Sequence, residues 1–174
     1  MAAAALLAAC GDRGTPAPPA GLPAVEVRAG EYLVRLIGER DAPGLLRVQR
    51  LEIRRADGGD DDSPVQQIDG LATETPVTPD FPGLEALDMN FDGHPDLRLI
   101  EFRPAGPNVP YLNWLYHPAQ ARFVASPALD ALPSAMFLPD KGEVHVPWRD
   151  GATRSGVDVY RWNEGSLVKV QPPG

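Results

Sequence analysis

One segment of the chain combines the residue types and the spacing of a metal-binding loop. Oxygen-bearing side chains stand at positions 1, 3, 5 and 9 of the run that begins at Asp88, and a glycine stands at position 6. Alternate residues of a curled loop point inward, and the glycine permits the sharp turn that brings the position-7 carbonyl onto the ion. The predicted ligands are the side chains of Asp88, Asn90, Asp92 and Asp96 and the carbonyl of His94.

The predicted ion is Ca²⁺. Three carboxylates in one loop repel one another, and a divalent cation offsets most of their charge. An all-oxygen ligand set suits a hard cation, whereas zinc and copper prefer the nitrogen and sulfur ligands that this segment lacks apart from the His94 ring. An Asx-rich turn without a metal is the alternative, because Asp, Asn and Gly also favour tight turns by themselves.

The loop departs from an EF-hand in its second half. Position 12 is Leu99 instead of a bidentate glutamate, and Pro95 is followed by a run typical of a strand, not a helix. The segment therefore predicts a calcium clip between two strands, with an affinity on the order of 10⁻⁴ M.

The rest of the domain shows apolar residues with a period near two, interrupted by turn residues, which is typical of short strands. Asn163-Glu164-Gly165 predicts a hairpin turn with Gly165 at positive φ, and 57–63 predicts a solvated acidic turn. The predicted fold is all-β: a small antiparallel β-sandwich or meander with one short helix and a calcium-binding loop between strands. The strands are expected near 25–27, 32–36, 45–53, 84–87, 96–102, 111–116, 122–124, 143–148, 157–162 and 167–170, and the helix at 127–132.

The start of the chain has the pattern of an export signal. Residues 1–9 are wholly apolar and lead into Cys10, the one cysteine of the sequence. Leu-Ala-Ala-Cys matches the bacterial lipobox, in which the cysteine becomes the lipidated first residue of the mature protein. The alternative is a short apolar stretch with a buried or free cysteine. Because no basic residue precedes the apolar run, we expect the natural sequence to extend further upstream.

The sequence then predicts three parts: a signal peptide remnant at 1–9, a lipidated cysteine with a flexible tether at 10–23, and one β-rich domain at 24–171. Gly11, not Asp, follows the cysteine, which favours the periplasmic face of the outer membrane. The net charge of −8 makes a nucleic-acid partner improbable.

Three blocks in the second half of the chain resemble a known family. The matching segments are 87–98, 111–118 with Arg122-Phe123, and 159–162 with 165–170. They are similar to the xanthomonad-type immunity lipoproteins that inhibit lysozyme-like effectors of the bacteria-killing type IV secretion system, whose fold is similar to that of the periplasmic inhibitors of invertebrate-type lysozymes. The resemblance implies a β-sandwich-like inhibitor domain, calcium in the Asp88–Asp96 loop and a lysozyme-like glycosidase as the protein partner.

The candidate inhibitor loop is the run from Arg149 to Gly156, which the sequence predicts as an eight-residue connection between two apolar strands. Its candidate contact residues are Arg149, Asp150, Arg154 and Ser155. A lysozyme cleft presents two catalytic carboxylates, so an inserted arginine or hydroxyl could bind them and exclude substrate. A solvated surface hairpin is the alternative.

We expect a binding protein and not an enzyme. No Gly-x-Ser-x-Gly motif occurs, and no cysteine other than Cys10 could act as a nucleophile. His145 is predicted on the solvent face of a strand and His117 in a turn, although aspartate pairs for glycoside hydrolysis can assemble from distant segments. The expected function is a lipid-anchored, calcium-stabilised periplasmic inhibitor of a lysozyme-like glycosidase. The alternatives are a structural or accessory calcium-binding envelope lipoprotein and a periplasmic hydrolase.

Overall fold

A computed structural model describes residues 25–58, 63–78 and 80–170. The predicted signal peptide, Cys10 and the tether lie outside these ranges, as do residues 59–62 of the predicted acidic turn. In the described part, no helix is both long and apolar enough to cross a membrane.

The structure consists of three antiparallel sheets, each formed by four strands that follow one another in the chain. The first sheet contains β1 (Glu26–Ala29), β2 (Tyr32–Ala42), β3 (Leu45–Arg55) and β4 (Gln66–Pro76). The second contains β5 (Leu84–Leu87), β6 (Asp96–Ile100), β7 (Tyr111–His117) and β8 (Arg122–Ala125). The third contains β9 (Met136–Leu138), β10 (Glu143–Asp150), β11 (Arg154–Asn163) and β12 (Ser166–Val170). One short helix, α1 (Pro127–Asp130), connects the second and third sheets.

The first two sheets form a sandwich around one hydrophobic core. Alternate residues of β2 and β3 point to one side, and they meet the inward residues of β6 and β7. Leu97 and Leu99 are completely buried on β6, whereas Arg98 between them points to the opposite face. The core residues are Ala29, Tyr32, Val34, Leu36, Val48, Leu51, Ile53, Leu84, Leu97, Leu99, Trp114, Tyr116 and Phe123.

Side-chain amides and backbone groups also join the two sheets at their edges. The carboxamide of Gln66 on β4 donates to the carbonyl of Phe123 at 2.7 Å and accepts from its N–H at 2.9 Å. Gln66 thus pairs with the edge strand β8 as another strand would. Elsewhere on β4, the N–H of Glu74 donates to the carbonyl of Glu101 at 2.7 Å.

The third sheet packs on the outer face of the second. Arg98 reaches across from β6, donates to the carbonyl of Ala135 at 3.0 Å, and lies over the Phe137 ring. A second, smaller core forms there around Val144 and Val146. The contacts of Arg98 thus join the third sheet to the second.

The all-β fold with one short helix is confirmed, and the strand runs predicted from the sequence are strands in the structure. The helix is shorter than predicted, ending at Asp130. The hairpin turn at Glu164 and Gly165 has φ of 49° and 77°, which confirms the positive φ predicted for Gly165.

Two strands, β4 and β9, are absent from the sequence prediction. β4 is polar in sequence because two of its buried residues are threonines. Their hydroxyls are 2.8 Å apart, and Thr75 donates to the Ile100 carbonyl at 2.7 Å. A hydroxyl satisfied in this way can be buried at little cost, but no hydropathy pattern reveals it.

Candidate functional site

The predicted calcium loop connects β5 to β6, and its backbone curls around the side chain of its first residue. One carboxylate oxygen of Asp88 accepts the N–H of Asp92 at 3.1 Å, and the other accepts the N–H of Gly93 at 2.8 Å. Gly93 has a φ of 87°, and Phe91 takes the left-handed region as well, with a φ of 63°. The turn predicted from the glycine is thus present.

Two further predicted ligands lie on the exposed side of this curl. The amide oxygen of Asn90 accepts the N–H of Asp92 at 3.2 Å, and a carboxylate oxygen of Asp92 accepts the N–H of His94 at 2.9 Å. The amide nitrogen of Asn90 donates to Asp92 at 2.9 Å. Asn90 and Asp92 are therefore brought together by the loop itself.

Asp96 lies at the inner end of the loop and is completely buried. One of its oxygens accepts the N–H of Met89 at 2.8 Å, and the other accepts the N–H of Tyr116 on β7 at 2.8 Å. Burial raises the pKa of Asp96 to about 6, because desolvation outweighs these two hydrogen bonds, and the nearby carboxylates of Asp92 and Asp88 add to the rise. Asp96 therefore ties the loop to the second sheet.

The donor set of this loop fits a hard cation in its chemistry, since every predicted ligand atom is an oxygen. Each carboxylate oxygen that accepts one N–H keeps a further lone pair for an ion. Across the described ranges, however, no group of three or more His, Cys, Asp or Glu side chains stands close enough to hold a metal ion. A calcium ion here would depend on the Asn90 amide oxygen, the His94 carbonyl and water as well as on carboxylates.

The third sheet holds the loop from its other side. The indole N–H of Trp162 on β11 donates to the carbonyl of Met89 at 2.8 Å, and Met89 itself is completely buried. Phe91 packs against the core of the third sheet. No pattern in the sequence indicates that the partner of Trp162 is this loop.

The predicted eight-residue inhibitor loop is wrong in its extent. β10 and β11 pair without interruption as far as Asp150 and Arg154, so that only residues 151–153 form the turn. The polar and glycine-rich composition of this run suggested a loop, but backbone pairing in a two-stranded ribbon does not require apolar side chains. Arg149, Asp150, Arg154 and Ser155 are therefore strand residues at the tip of a hairpin.

The register divides these four residues between the two faces of the hairpin. Directly paired residues share a face and neighbours along a strand alternate, so Asp150 and Arg154 lie on one face and Arg149 and Ser155 on the other. Asp150 and Arg154 form an exposed ion pair. The guanidinium of Arg149 instead donates to the carbonyls of Gly151 and Ala152 at 3.3 and 3.4 Å.

Trp148 shares the face of Asp150 and Arg154 and is 40% exposed. Its indole lies over Gly156, where a Cβ atom would approach Cζ2 of the indole to 2.6 Å. Trp114 and Tyr116, by contrast, are buried. An exposed tryptophan beside an arginine is a common centre of protein–protein contacts.

The two histidines considered as catalytic candidates are separate from each other and from this hairpin tip. His145 lies on β10 with its Nε2 atom 2.8 Å from one carboxylate oxygen of Glu143. The other oxygen of Glu143 accepts a hydrogen bond from Arg161 at 2.6 Å. These two contacts lower the pKa of Glu143. His117 is the exposed last residue of β7.

Comparison with known proteins gives no family assignment. No protein-family model matches the chain, and no curated protein matches it significantly. Among solved structures, one described as a Xanthomonas type IV secretion system related protein matches 84% of this chain and 92% of its own, with 14% identity and a TM-score of 0.42. Similarity at that level establishes neither a common family nor a common function.

Proposed function

We propose that the protein is a calcium-stabilised, lipid-anchored inhibitor of a lysozyme-like peptidoglycan glycosidase on the periplasmic side of the outer membrane. The observation that carries the proposal concerns one strand, β11. Its first residue, Arg154, lies at the exposed hairpin tip. Its ninth residue, Trp162, donates to the Met89 carbonyl and so holds the predicted calcium loop at 88–96, which we call the Asx-rich loop. An ion in the loop would therefore stabilise the strand that presents the partner-binding residues.

Calcium is the ion that the loop chemistry favours. The proposed ligands supply oxygen only: the side chains of Asp88, Asn90, Asp92 and Asp96 and the carbonyl of His94. The loop is already curled by hydrogen bonds from its backbone N–H groups to the carboxylates of Asp88 and Asp92. The ion would supply positive charge between carboxylates that otherwise repel one another. Binding to the folded loop alone would stabilise the fold by mass action.

The hairpin tip supplies the chemistry for binding an acidic cleft. Arg154 carries five N–H donors, so it can bind a second carboxylate while it remains close to Asp150. Trp148 offers an adjacent aromatic anchor on the same face. The formal charge of −8 favours encounter with basic lysozymes.

A muramidase assay on peptidoglycan tests the inhibitory part of the proposal. The purified protein is titrated in excess calcium against an invertebrate-type lysozyme and against a lysozyme-like effector domain of a type IV secretion system. We expect saturable inhibition of one of them. Trp148→Ala and Arg154→Ala should each weaken it by about 1–3 kcal/mol, whereas Arg122→Ala on β8 should leave it unchanged.

Calorimetry and thermal melting test the calcium part separately. Ca²⁺ should raise the melting temperature, a chelator should reverse the rise, and Asp92→Ala should abolish it, with Asp140→Ala as a control for loss of an exposed carboxylate. A calcium response without inhibition would favour the accessory lipoprotein. Peptidoglycan cleavage by the protein itself would indicate a hydrolase. A melting temperature that does not respond to calcium would support the alternative that the loop is an Asx-rich turn without a metal.

A further inference from the structure

A separate cavity lies between the Asx-rich loop and the turn that joins β1 to β2. Its volume is about 270 Å³, and three nearly buried aromatic rings, Tyr32, Tyr116 and Phe123, form its floor. His94, Pro95 and Pro118 line it as well, on the more exposed side. The cavity shares no lining residue with the β10–β11 hairpin tip, and it borders the proposed calcium loop at His94 and Pro95.

The size of the cavity limits what it can hold. Cavities of about 150 Å³ admit a benzene molecule, and pockets for drug-sized ligands begin at about 300 Å³. A space of about 270 Å³ therefore suits a single substituted six-membered ring. It does not suit a chain of sugar units.

The walls favour an aromatic ring over a saturated one. The three floor rings pack on one another with centroids 5.1 to 5.8 Å apart and interplanar angles of 52° to 77°. The His94 ring stands 5.6 Å from that of Tyr116 at a similar tilt. A further ring entering this cluster finds both ring faces and ring edges, the contacts that aromatic pairs prefer.

The polar groups favour a ligand with one neutral hydroxyl. The hydroxyls of Tyr32 and Tyr116 are 3.2 Å apart, so that one donates its hydrogen to the other, and lone pairs of the pair remain to accept the hydroxyl hydrogen of a ligand. Burial raises the pKa of Tyr32, with smaller contributions from the Tyr116 hydroxyl and from Glu31, so the Tyr32 hydroxyl keeps its hydrogen at neutral pH. Glu31, at the rim, pairs with Arg55 at 2.9 Å, which balances the one charge there.

We propose that this cavity is a binding site for a phenol-type ring, either of a small molecule or of a tyrosine side chain. The ring would lie against Tyr32, Tyr116 and Phe123 beneath His94, and its hydroxyl would join the tyrosine hydroxyl pair. The inference goes beyond the proposed function, because it requires neither calcium nor a glycosidase.

Titration with phenol, followed by heteronuclear NMR at a fixed calcium concentration, tests the proposal. Phenol should shift the aromatic signals of the floor rings with saturation, and cyclohexanol, of similar size, should bind several-fold more weakly because it lacks the aromatic edge and face. N-acetyl-tyrosine amide distinguishes the two sources. If it binds as phenol does, the site accepts a tyrosine side chain, and if only phenol binds, it accepts the small molecule.

Two variants place the site. His94→Ala removes one wall of the cavity while it keeps the backbone carbonyl, and it should weaken phenol binding. The control is His117→Ala at the exposed end of β7, which should leave phenol binding unchanged. Tyr116→Phe should weaken binding about 5-fold by removing one hydroxyl. The proposal is overturned if phenol causes no shifts at the floor rings, if cyclohexanol binds equally well, or if His94→Ala binds phenol as the parent does.

Discussion

Asp130 shows how burial changes the chemistry of a single residue. Its carboxylate accepts the backbone N–H of Asn113 at 2.7 Å and the amide N–H of the same residue at 2.9 Å. Burial raises the pKa of Asp130, and these hydrogen bonds only partly oppose the rise. The charged form is therefore less favourable in the folded protein than in the unfolded chain.

The unfavourable burial of the Asp130 carboxylate should make the free energy of unfolding depend on pH. The folded state binds the proton of Asp130 more tightly than the unfolded chain does. Protonated Asp130 therefore adds to the stability of the fold at acidic pH, and this contribution is lost as pH rises through the folded-state pKa. Asp130→Asn keeps an acceptor for Asn113 without the charge, so the variant should gain stability relative to the parent at pH 7 and lose that gain near pH 4. Thermal melts at both pH values measure this, and an equal difference at the two would contradict it.

Gly156 is the second residue whose identity the structure explains. A methyl group at this position would meet the indole of Trp148 at 2.6 Å, so Gly156→Ala should displace the ring. Because Trp148 is partly exposed, its ring can shift toward solvent, and the loss of stability should stay below about 1 kcal/mol. The indole N–H signal of Trp148 should shift in an NMR spectrum, while Gly106→Ala, in open space, should leave it in place.

At the scale of elements, β4 and β8 are joined by a polar side-chain contact that hydropathy does not predict. β8 is an edge strand, and the Gln66 carboxamide supplies both a donor and an acceptor to Phe123. An unpaired strand edge would otherwise expose these backbone groups. The contact joins the two halves of the sandwich across 57 residues of sequence.

Replacing that amide by a carboxylate should separate its two roles. In Gln66→Glu, the carboxylate still accepts the Phe123 N–H but cannot donate to the Phe123 carbonyl. We expect a loss of about 1–3 kcal/mol in the free energy of unfolding, measured by urea denaturation. Gln67→Glu makes the same change on the exposed face of β4 and should cost much less, and an equal loss in both would contradict a specific role for Gln66.

At the scale of the whole molecule, the three sheets and the proposed membrane anchor belong to different parts of the chain. The three sheets are described from residue 25 onward, whereas the predicted lipidation site is Cys10. If Cys10 is lipidated as proposed, the segment between the two would hold the domain at a distance from the membrane surface.

Cys10→Ser tests this anchor. The variant lacks the thiol that lipidation requires, so it should move from the membrane fraction to the soluble periplasmic fraction. Metabolic labelling with a fatty acid should disappear in parallel. A serine variant that stays with membranes after a high-salt wash would show that another part of the chain holds it there.

The sequence alone determined the class of the fold and most of its strands. Period-two apolar patterns and turn residues are local, so Leu84–Leu87 or Glu143–Trp148 could be recognised without knowledge of their partners. The Asx-rich loop was also visible, because Asp88, Asn90, Asp92 and Gly93 act on the backbone within a few residues. The hairpin turn at Glu164 and Gly165 before β12 was predictable for the same reason, because it depends only on neighbouring residues.

The tertiary structure decided everything that depends on contacts between distant segments. β4 is a strand because it pairs with β3, and its buried Thr75 donates to the Ile100 carbonyl. The predicted inhibitor loop is a short hairpin because the pairing of β10 with β11 continues through polar residues. The contact of Trp162 with Met89 spans 73 residues. Such pairings leave no periodic signal, since each satisfies a single polar group that only the folded chain brings within hydrogen-bonding distance.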